Sequence, residues 1–281
     1  MELQYKKISE NEYDIIMTMI AEDKGVSDYL PKDLELESEM ITVAYLEKEI
    51  VGLVQIEPDK DTSFVVVFVS INHRNRGIGN ALIKYAEDYL KEIQAKKIMT
   101  SYSINNENSK RFARKHGYER YFSSAYMKHN GGKFSSELIP VRHYCDEDYL
   151  DAFKLSTEAF HEMRVSVGDF PDSKIEEPSK QIRDRLKQEA ENRYTYFIDG
   201  EIVGHGWLEG NEIGSISVRI DMQGKGIGRK FAKYLCNELY NRGNKEIFLW
   251  CVVGNKARYL YESLGFEELY VSEFARKYLR E

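Results

Sequence analysis

The sequence predicts an α/β (α+β) protein of two tandem domains, each a mixed, mostly antiparallel sheet with helices on both faces. Three observations lead there. The chain has 281 residues, a length that favours two domains over one. One pattern is written twice: KEIVGLVQIE at 48–57 returns as GEIVGHGWLE at 200–209, and SKRFARKHGYE from Ser109 returns as KARYLYESLGFEE from Lys256. Between them, VFVSINHRNRGIGNALIKYAEDYL from Val67 matches ISVRIDMQGKGIGRKFAKYLCNEL from Ile216. The offsets agree, 149 residues from Gly77 to Gly226 and 148 from Gly117 to Gly265, so a whole domain is duplicated. The hydrophobic fraction, 42%, supplies a core for each copy.

Each copy reads alike from its start. An extended segment (LQYKKIS; ELIPVRHY) leads to a helix over 10–22 or 146–162, then to a second helical or irregular stretch. Three antiparallel strands follow, joined by short polar turns such as Asp199-Gly200. The third strand (63–69; 212–218) feeds a glycine turn and an amphipathic helix. That helix keeps Leu82, Ile83, Ala86 and Leu90 on one face, or Phe231, Tyr234, Leu235 and Leu239 in the second copy. A further strand (KIMTSYSI; EIFLWCVV), a helix and terminal strands close each copy. The seam is expected at HNGGKFSS, 129–136, where Gly131-Gly132 ends a strand. The domains are then 1–133 and 134–281.

Composition narrows the function. The net charge is −7 and both halves are acidic, which argues against general nucleic-acid binding. Cys145, Cys236 and Cys251 are odd in number and far apart, so neither a disulfide framework nor a cysteine zinc site is expected. No His/Asp/Glu spacing suggests a metal. The first residues, MELQYKKISENEYD, contain no apolar signal core, and the apolar run FVVVFV is too short to cross a bilayer. A cytoplasmic protein without a membrane partner is the expectation.

The glycine turns are RNRGIG (Arg74, Asn75, Arg76, Gly77, Ile78, Gly79) and QGKGIG (Gln223, Gly224, Lys225, Gly226, Ile227, Gly228). Each lies between a strand and a helix. Glycines there let successive N–H groups converge where the first helical donors are unsatisfied, forming a nest for phosphate or pyrophosphate. A plain strand-to-helix turn is the alternative reading. The spacing fits neither a dinucleotide-binding GxGxxG nor a Walker GxxxxGK[ST].

The pattern Q/R-x-x-G-x-G after a strand and before a helix resembles motif A of the GNAT N-acyltransferase superfamily. The preceding VGxxx hairpin and the later stretch from Asn255 and Ala257 through Tyr261 to Gly265-Phe266 fit the same family. The resemblance spans nearly the whole chain as two copies. It implies acetyl-CoA as co-substrate, with its pyrophosphate on the two turns, on Arg229 and near Asn255. Its pantetheine arm then pairs with the strand end at Ser217 and Val218, or at Val69 in the first copy. It also implies that the Val218 N–H steadies the oxyanion.

Acyl transfer to an amine needs a base for the ammonium, a donor for the oxyanion and an acid for the thiolate. In this family the acid is commonly a tyrosine four residues before the glycine of the G-F pair. That is Tyr261 in the second copy and Ala113 in the first. A strand carboxylate serves some members as base. Counting back from the strand-end valine gives Glu212 in the second copy and Ser63 in the first, and simple alternation would set residues 212, 214, 216 and 218 on one face. Tyr261 as a packing residue and Glu212 as a turn carboxylate are the competing readings.

The expectation is therefore an acetyl-CoA-dependent N-acyltransferase acting on a small-molecule or peptide amine. The second copy is expected to be catalytic, by direct attack and without a metal; the first is expected to be non-catalytic and to retain CoA. The alternatives are a CoA-binding regulatory or structural protein, or transfer to a thiol or hydroxyl. Asp59 and Asp61 read as solvated loop charges, His73 as a solvated turn residue and Cys251 as a buried, inert thiol. His161 and His205 either line the acceptor cleft or serve structure. The acidic stretch 164–180, with Asp169, Asp172, Glu176 and Glu177, reads as a solvated acidic loop, with a cationic acceptor as the functional alternative.

Overall fold

The computed structural model describes residues 2–23, 38–135 and 137–279. Ser136, at the end of the expected seam, and the stretch 24–37 after the first helix lie outside these. The chain forms two compact units, Met1–Tyr121 with Ser272–Glu281, and Phe122–Val271.

In the first unit, β1 (Leu3–Lys7), β2 (Ile41–Leu46), β3 (Glu49–Glu57) and β4 (Ser63–Val69) run antiparallel in that order. β5 (Lys97–Ser103) joins β4 in parallel. Helix α1 (Tyr13–Ala21) buries Ile16, Met19 and Ile20 against Val43, Leu53 and Phe68 on one face of the sheet. Helix α2 (Ile78–Glu92) buries Leu82, Ile83, Ala86 and Leu90, as its spacing predicts, against Val54 and Val65 on the other. Helix α3 (Glu107–Lys115) starts where Asn106 Oδ1 accepts from Ser109 N at 3.0 Å, relieving one unsatisfied donor of its first turn.

The second unit repeats this order. The strands are β6 (Glu119–His129, its part from Phe122), β7 (Val141–His143), β8 (Arg193–Ile198), β9 (Glu201–Glu209), β10 (Glu212–Val218) and β11 (Ile247–Val252). Helix α4 (Tyr149–Val167) ends at Gly168, whose φ of 74° suits a residue without a Cβ. Helix α5 (Lys180–Gln188) is capped by Ser179. Helices α6 (Ile227–Asn241) and α7 (Ala257–Ser263) complete the seven α-helices among the described residues. The Asp199-Gly200 turn between β8 and β9 takes φ of 51° and 81°, the left-handed pair that a tight hairpin needs.

The final strands depart from a simple tandem. Strand β12 (Glu267–Tyr278) lends residues 272–278 to the first unit, pairing antiparallel with β5 from Ser272↔Ser103 to Tyr278↔Lys97. The first repeat's last strand, β6, pairs instead with β11 of the second unit, from Ile247↔His129 to Val252↔Ser124. The compact units thus divide at Tyr121/Phe122 and again at Val271/Ser272, rather than once at 133/134. Each fifth strand offers the same open edge, and each repeat's terminal strand fits it.

Candidate active site

The two glycine turns have the same backbone. Gly224 and Gly226 take φ of 73° and 82°; Asn75 and Gly77 take 61° and 84°. Asn75 thus adopts the left-handed conformation that its partner position gives to glycine, which asparagine tolerates better than most side chains. The first bond of each helix that follows is Lys230 N to Gly226 O, 3.2 Å, or Ala81 N to Gly77 O, 3.1 Å. The N–H groups of Ile227, Gly228 and Arg229, and of Ile78, Gly79 and Asn80, therefore precede the ladder and sit at the positive end of the helix dipole. The Ala81 N–H is spent in that first bond.

The Q/R position has a visible local task. Gln223 Nε2 donates to Val218 O at 3.1 Å, and Arg74 Nε donates to Val69 O at 3.0 Å. Each ties the strand end to its turn. Arg74 also pairs with Asp23. The side chains of Ile78 and Ile227 are buried, so only their backbone can serve a ligand. Arg76 and Lys225 are exposed at the turns. The Arg229 guanidinium holds Ser263 Oγ at 2.6 Å, linking α6 to the end of α7. Asn255 Oδ1 accepts from Ala257 N at 2.9 Å, two residues ahead of the start of α7.

Next to each turn the sheet opens. Strands β10 and β11 are in register only at Glu212↔Phe248 and Ile213↔Leu249; β4 and β5 only at Ser63↔Ile98 and Phe64↔Met99. Arg219 N bonds to Val203 O at 3.0 Å. Alternation along an antiparallel ladder then turns Ser217 toward β9 and the Val218 N–H toward the gap. Ser70 N bonding to Val51 O, 3.0 Å, does the same for Val69. Of the expected pair Ser217 and Val218, it is Val218 whose backbone faces the gap.

The face assigned to Glu212 is corrected by a β-bulge. The β10–β9 register steps from Ile213↔Leu208 to Ser215↔Trp207, leaving Gly214 as an extra residue. Simple alternation fails across it. Glu212 therefore shares a face with Ser215 and Ser217, the α4 face, and not with Ile216 and Val218. β4 has no such shift. Its residue opposite Glu57 and Met99 is Phe64, just as Glu212 is opposite Glu209 and Phe248. The counterpart of Glu212 is thus Phe64 rather than Ser63. Ser63 is buried and closes a turn, donating to Asp59 O at 2.6 Å.

Burial holds the Glu212 carboxyl above its usual range; the phenol of Tyr126 pulls it down and Glu209 pushes it up. Tyr126 Oη donates to Glu212 Oε2 at 3.2 Å. The Tyr126 ring lies 5.2 Å from Phe248, 4.7 Å from Trp250 and 5.3 Å from Tyr270. This aromatic surround was missed from sequence, because Tyr126 sits on the strand that crosses into the second unit.

Tyr261 is half-buried on the α6 side of the sheet, packed against the core that contains Leu249 and Cys251, with its ring 5.9 Å from Phe266. Burial, then the neighbouring thiols of Cys251 and Cys236, raise its phenol well above the ordinary value, so it stays protonated. Backbone bonds verify the match to Ala113. Leu264 N and Phe266 N both donate to Tyr261 O at 3.0 Å, as His116 N and Tyr118 N donate to Ala113 O at 3.1 and 3.0 Å.

In the first unit a cleft of about 680 Å³ runs past Val69, the 74–79 turn and Ala113. Tyr102 lines it, at the register position of Cys251, and donates to the buried Glu273 Oε1 at 2.8 Å. A phenol is present here, but on the strand and committed to a carboxylate.

Other expected residues fall as follows. His73 is not solvated: it is 8% exposed, with Nε2 3.4 Å from Glu49, because its short 3-10 turn folds the ring inward. Burial pushes the Cys251 thiol up to about 11, as an inert core cysteine requires. Asp61 is an exposed partner of Lys96 at 2.7 Å, and Asp59 Oδ1 caps the turn at Asp61 N and Thr62 N. His161 Nδ1 lies 3.1 Å from Ser173 Oγ. His205 is buried 3.1 Å from Ser156 Oγ, with its pKa pushed down to about 4 by burial and then by Arg193.

The model of the acetyltransferase (GNAT) family matches residues 10–118 and again 157–266. The chain belongs to this family. Among solved structures, a GCN5-related N-acetyltransferase from Sphaerobacter thermophilus superposes with a TM-score of 0.71 at 17% identity, covering 99% of this chain and 96% of that one. A tandem GNAT protein from the clavulanic acid biosynthesis pathway gives 0.62 at 16%, covering 99% and 98%. A GNAT-family acetyltransferase from Colwellia psychrerythraea gives 0.55 at 12%, covering 100% of both chains. These likenesses extend the two-repeat fold over the full described length. No curated protein matches significantly. No helix among the described residues is long and apolar enough to cross a membrane.

Proposed function

We propose that this family member transfers acetyl from acetyl-CoA to an amine, and that the second unit performs the reaction. The observation that carries this is the pairing of Glu212 on the α4 face of the sheet with Tyr261 on the α6 side, beside an intact anion turn. The N–H groups of Ile227, Gly228 and Arg229 receive the pyrophosphate. The thioester carbonyl lies against the Val218 N–H, which strengthens its hold as the oxyanion develops.

Glu212, directly or through a water, removes the ammonium proton. Its raised pKa makes it a stronger base than an ordinary glutamate. The amine nitrogen attacks the carbonyl carbon, the C–S bond breaks, and Tyr261 gives its proton to the departing thiolate; the nitrogen loses its second proton as the amide forms, which balances the proton that Tyr261 gave up. The products are an amide and free CoA, with no covalent enzyme intermediate. The first unit keeps the turn but has Phe64 and Ala113 at these two positions and holds Tyr102 on Glu273; it binds CoA without turnover.

The test is a panel of amines with acetyl-CoA, read by thiol release and product mass. Amide formation supports the reading. Thioester or ester products would reassign the acceptor, and CoA binding without release under any condition would favour a purely regulatory role.

A further inference from the structure

A second cavity, about 340 Å³, lies within the second unit under α4 and α5, on the face that the Gly214 bulge gives to Glu212. Its size is at the small end of ligand pockets. Ser215 and Trp207 line the end nearest the bulge. The Trp207 indole lies over Gly214 so closely that an added Cβ would come within 2.4 Å of it. Phe153 and Phe160 add apolar wall.

The polar groups are those of a built site. His205 lines the cavity and is 4% exposed; its Nε2 is buried with no hydrogen-bond partner among the described residues, while Nδ1 is held by Ser156. An orphaned buried ring nitrogen is costly unless a ligand satisfies it. Three arginines line the cavity with two glutamates, Glu176 and Glu189. Arg193 is neutralised by Glu189 and stacked on Trp207 at 5.3 Å. Arg164, over the Phe160 and Phe170 rings at 5.8 Å, and Arg185 leave the lining one positive charge in excess of its two glutamates, which disfavours a purely cationic ligand.

We infer that this cavity holds the acceptor, and that the acceptor is a small amine with an apolar body and an oxyanion group, carboxylate or phosphate, taken by Arg164 and Arg185. The apolar body lies between Phe160 and Trp207, a polar group meets His205 Nε2, and the amine reaches past Ser215 toward Glu212. This rests on the acetyltransferase reading above. It opposes the cationic acceptor suggested by the acidic stretch 164–180.

Matched probes test it on the full chain: phenylalanine against phenethylamine for the carboxylate, phosphoethanolamine against ethanolamine for the phosphate. The oxyanion member of at least one pair should be acetylated with the higher kcat/KM. The Arg164→Gln/Arg185→Gln double variant should raise KM for that member about tenfold or more, leaving kcat and the KM for acetyl-CoA unchanged. Binding is read separately. Of two tryptophans, Trp250→Phe leaves only Trp207, whose emission should respond saturably to the oxyanion amine without acetyl-CoA. Saturation without thiol release upholds the pocket and sinks the acetyltransferase reading. Preference for the uncharged-body amines, an unmoved KM in the double variant, or no saturation and no turnover with any of the four probes overturns the inference.

Discussion

At their glycine turns the two units differ by little: Asn75 stands where Gly224 does, and both take positive φ. A few residues away they diverge. The second unit has Tyr261 on α7 and a cysteine, Cys251, on the strand below; the first has Ala113 on α3 and Tyr102 on the strand, bonded to Glu273. The second has a bulged β10 carrying Glu212, and the first an unbroken β4 carrying Phe64. The contrast teaches that phosphate capture and proton transfer are separable. Capture rests on backbone geometry, which tolerates drift in side chains; proton transfer rests on one phenol and one carboxylate, each lost by a single substitution or by one residue of register.

The sharpest way to break the comparison is Tyr261→Phe. Loss of a positioned acid should cut kcat by about 10²–10⁴-fold where thiolate protonation limits the rate, with acetyl-CoA affinity nearly unchanged. Steady-state rates at saturating acceptor decide it, and an unimpaired variant removes Tyr261 from the chemistry. Tyr102→Phe should leave turnover untouched.

Next in size is Gly214→Ala. Its Cβ would meet the Trp207 ring at 2.4–2.7 Å, so overpacking should cost about 1–3 kcal/mol, read as a lower denaturant midpoint for the second unit. No matching site exists in β4, which carries no bulge. Stability equal to wild type would mean that the indole yields freely and does not brace the bulge.

The smallest effect concerns pH. Glu212 works ionised, so activity is present above its folded pKa and is lost as pH falls through it. Because burial raises that pKa, the acidic limb should lie above the range of an ordinary glutamate. Tyr126→Phe removes the donor that lowers it, and the limb should move to higher pH. Glu212→Gln should flatten the limb altogether. An unchanged limb in both variants points to another base or to water.

Much of this was legible in the sequence because it is local. The duplicated segments, the third strands at 63–69 and 212–218, the faces of α2 and α6, and the Tyr261/Ala113 contrast all follow from spacing within one stretch of chain. What was not legible depends on pairing between distant stretches. The bulge at Gly214 appears only when β10 meets β9, and it changes both the face of Glu212 and the identity of its counterpart. The exchange of terminal strands is equally hidden, since β6 and β12 each fit either fifth strand by pattern. Tyr126 beside Glu212 and Glu273 beside Tyr102 were invisible for that reason. His73 was misjudged because a turn residue next to exposed arginines gives no sign of the inward-folded ring.

The central claim, two anion turns and one chemical centre, meets its most direct test in calorimetric titration of acetyl-CoA into wild type, Gly77→Val and Gly226→Val, with turnover measured on the same samples. A branched side chain at φ of 84° or 82° strains the turn and should abolish the site it belongs to. Two sites in wild type, one lost in each variant, and turnover lost only in Gly226→Val is the predicted result. One site in wild type that only Gly226→Val removes, or turnover that survives Gly226→Val and disappears in Gly77→Val, would contradict it.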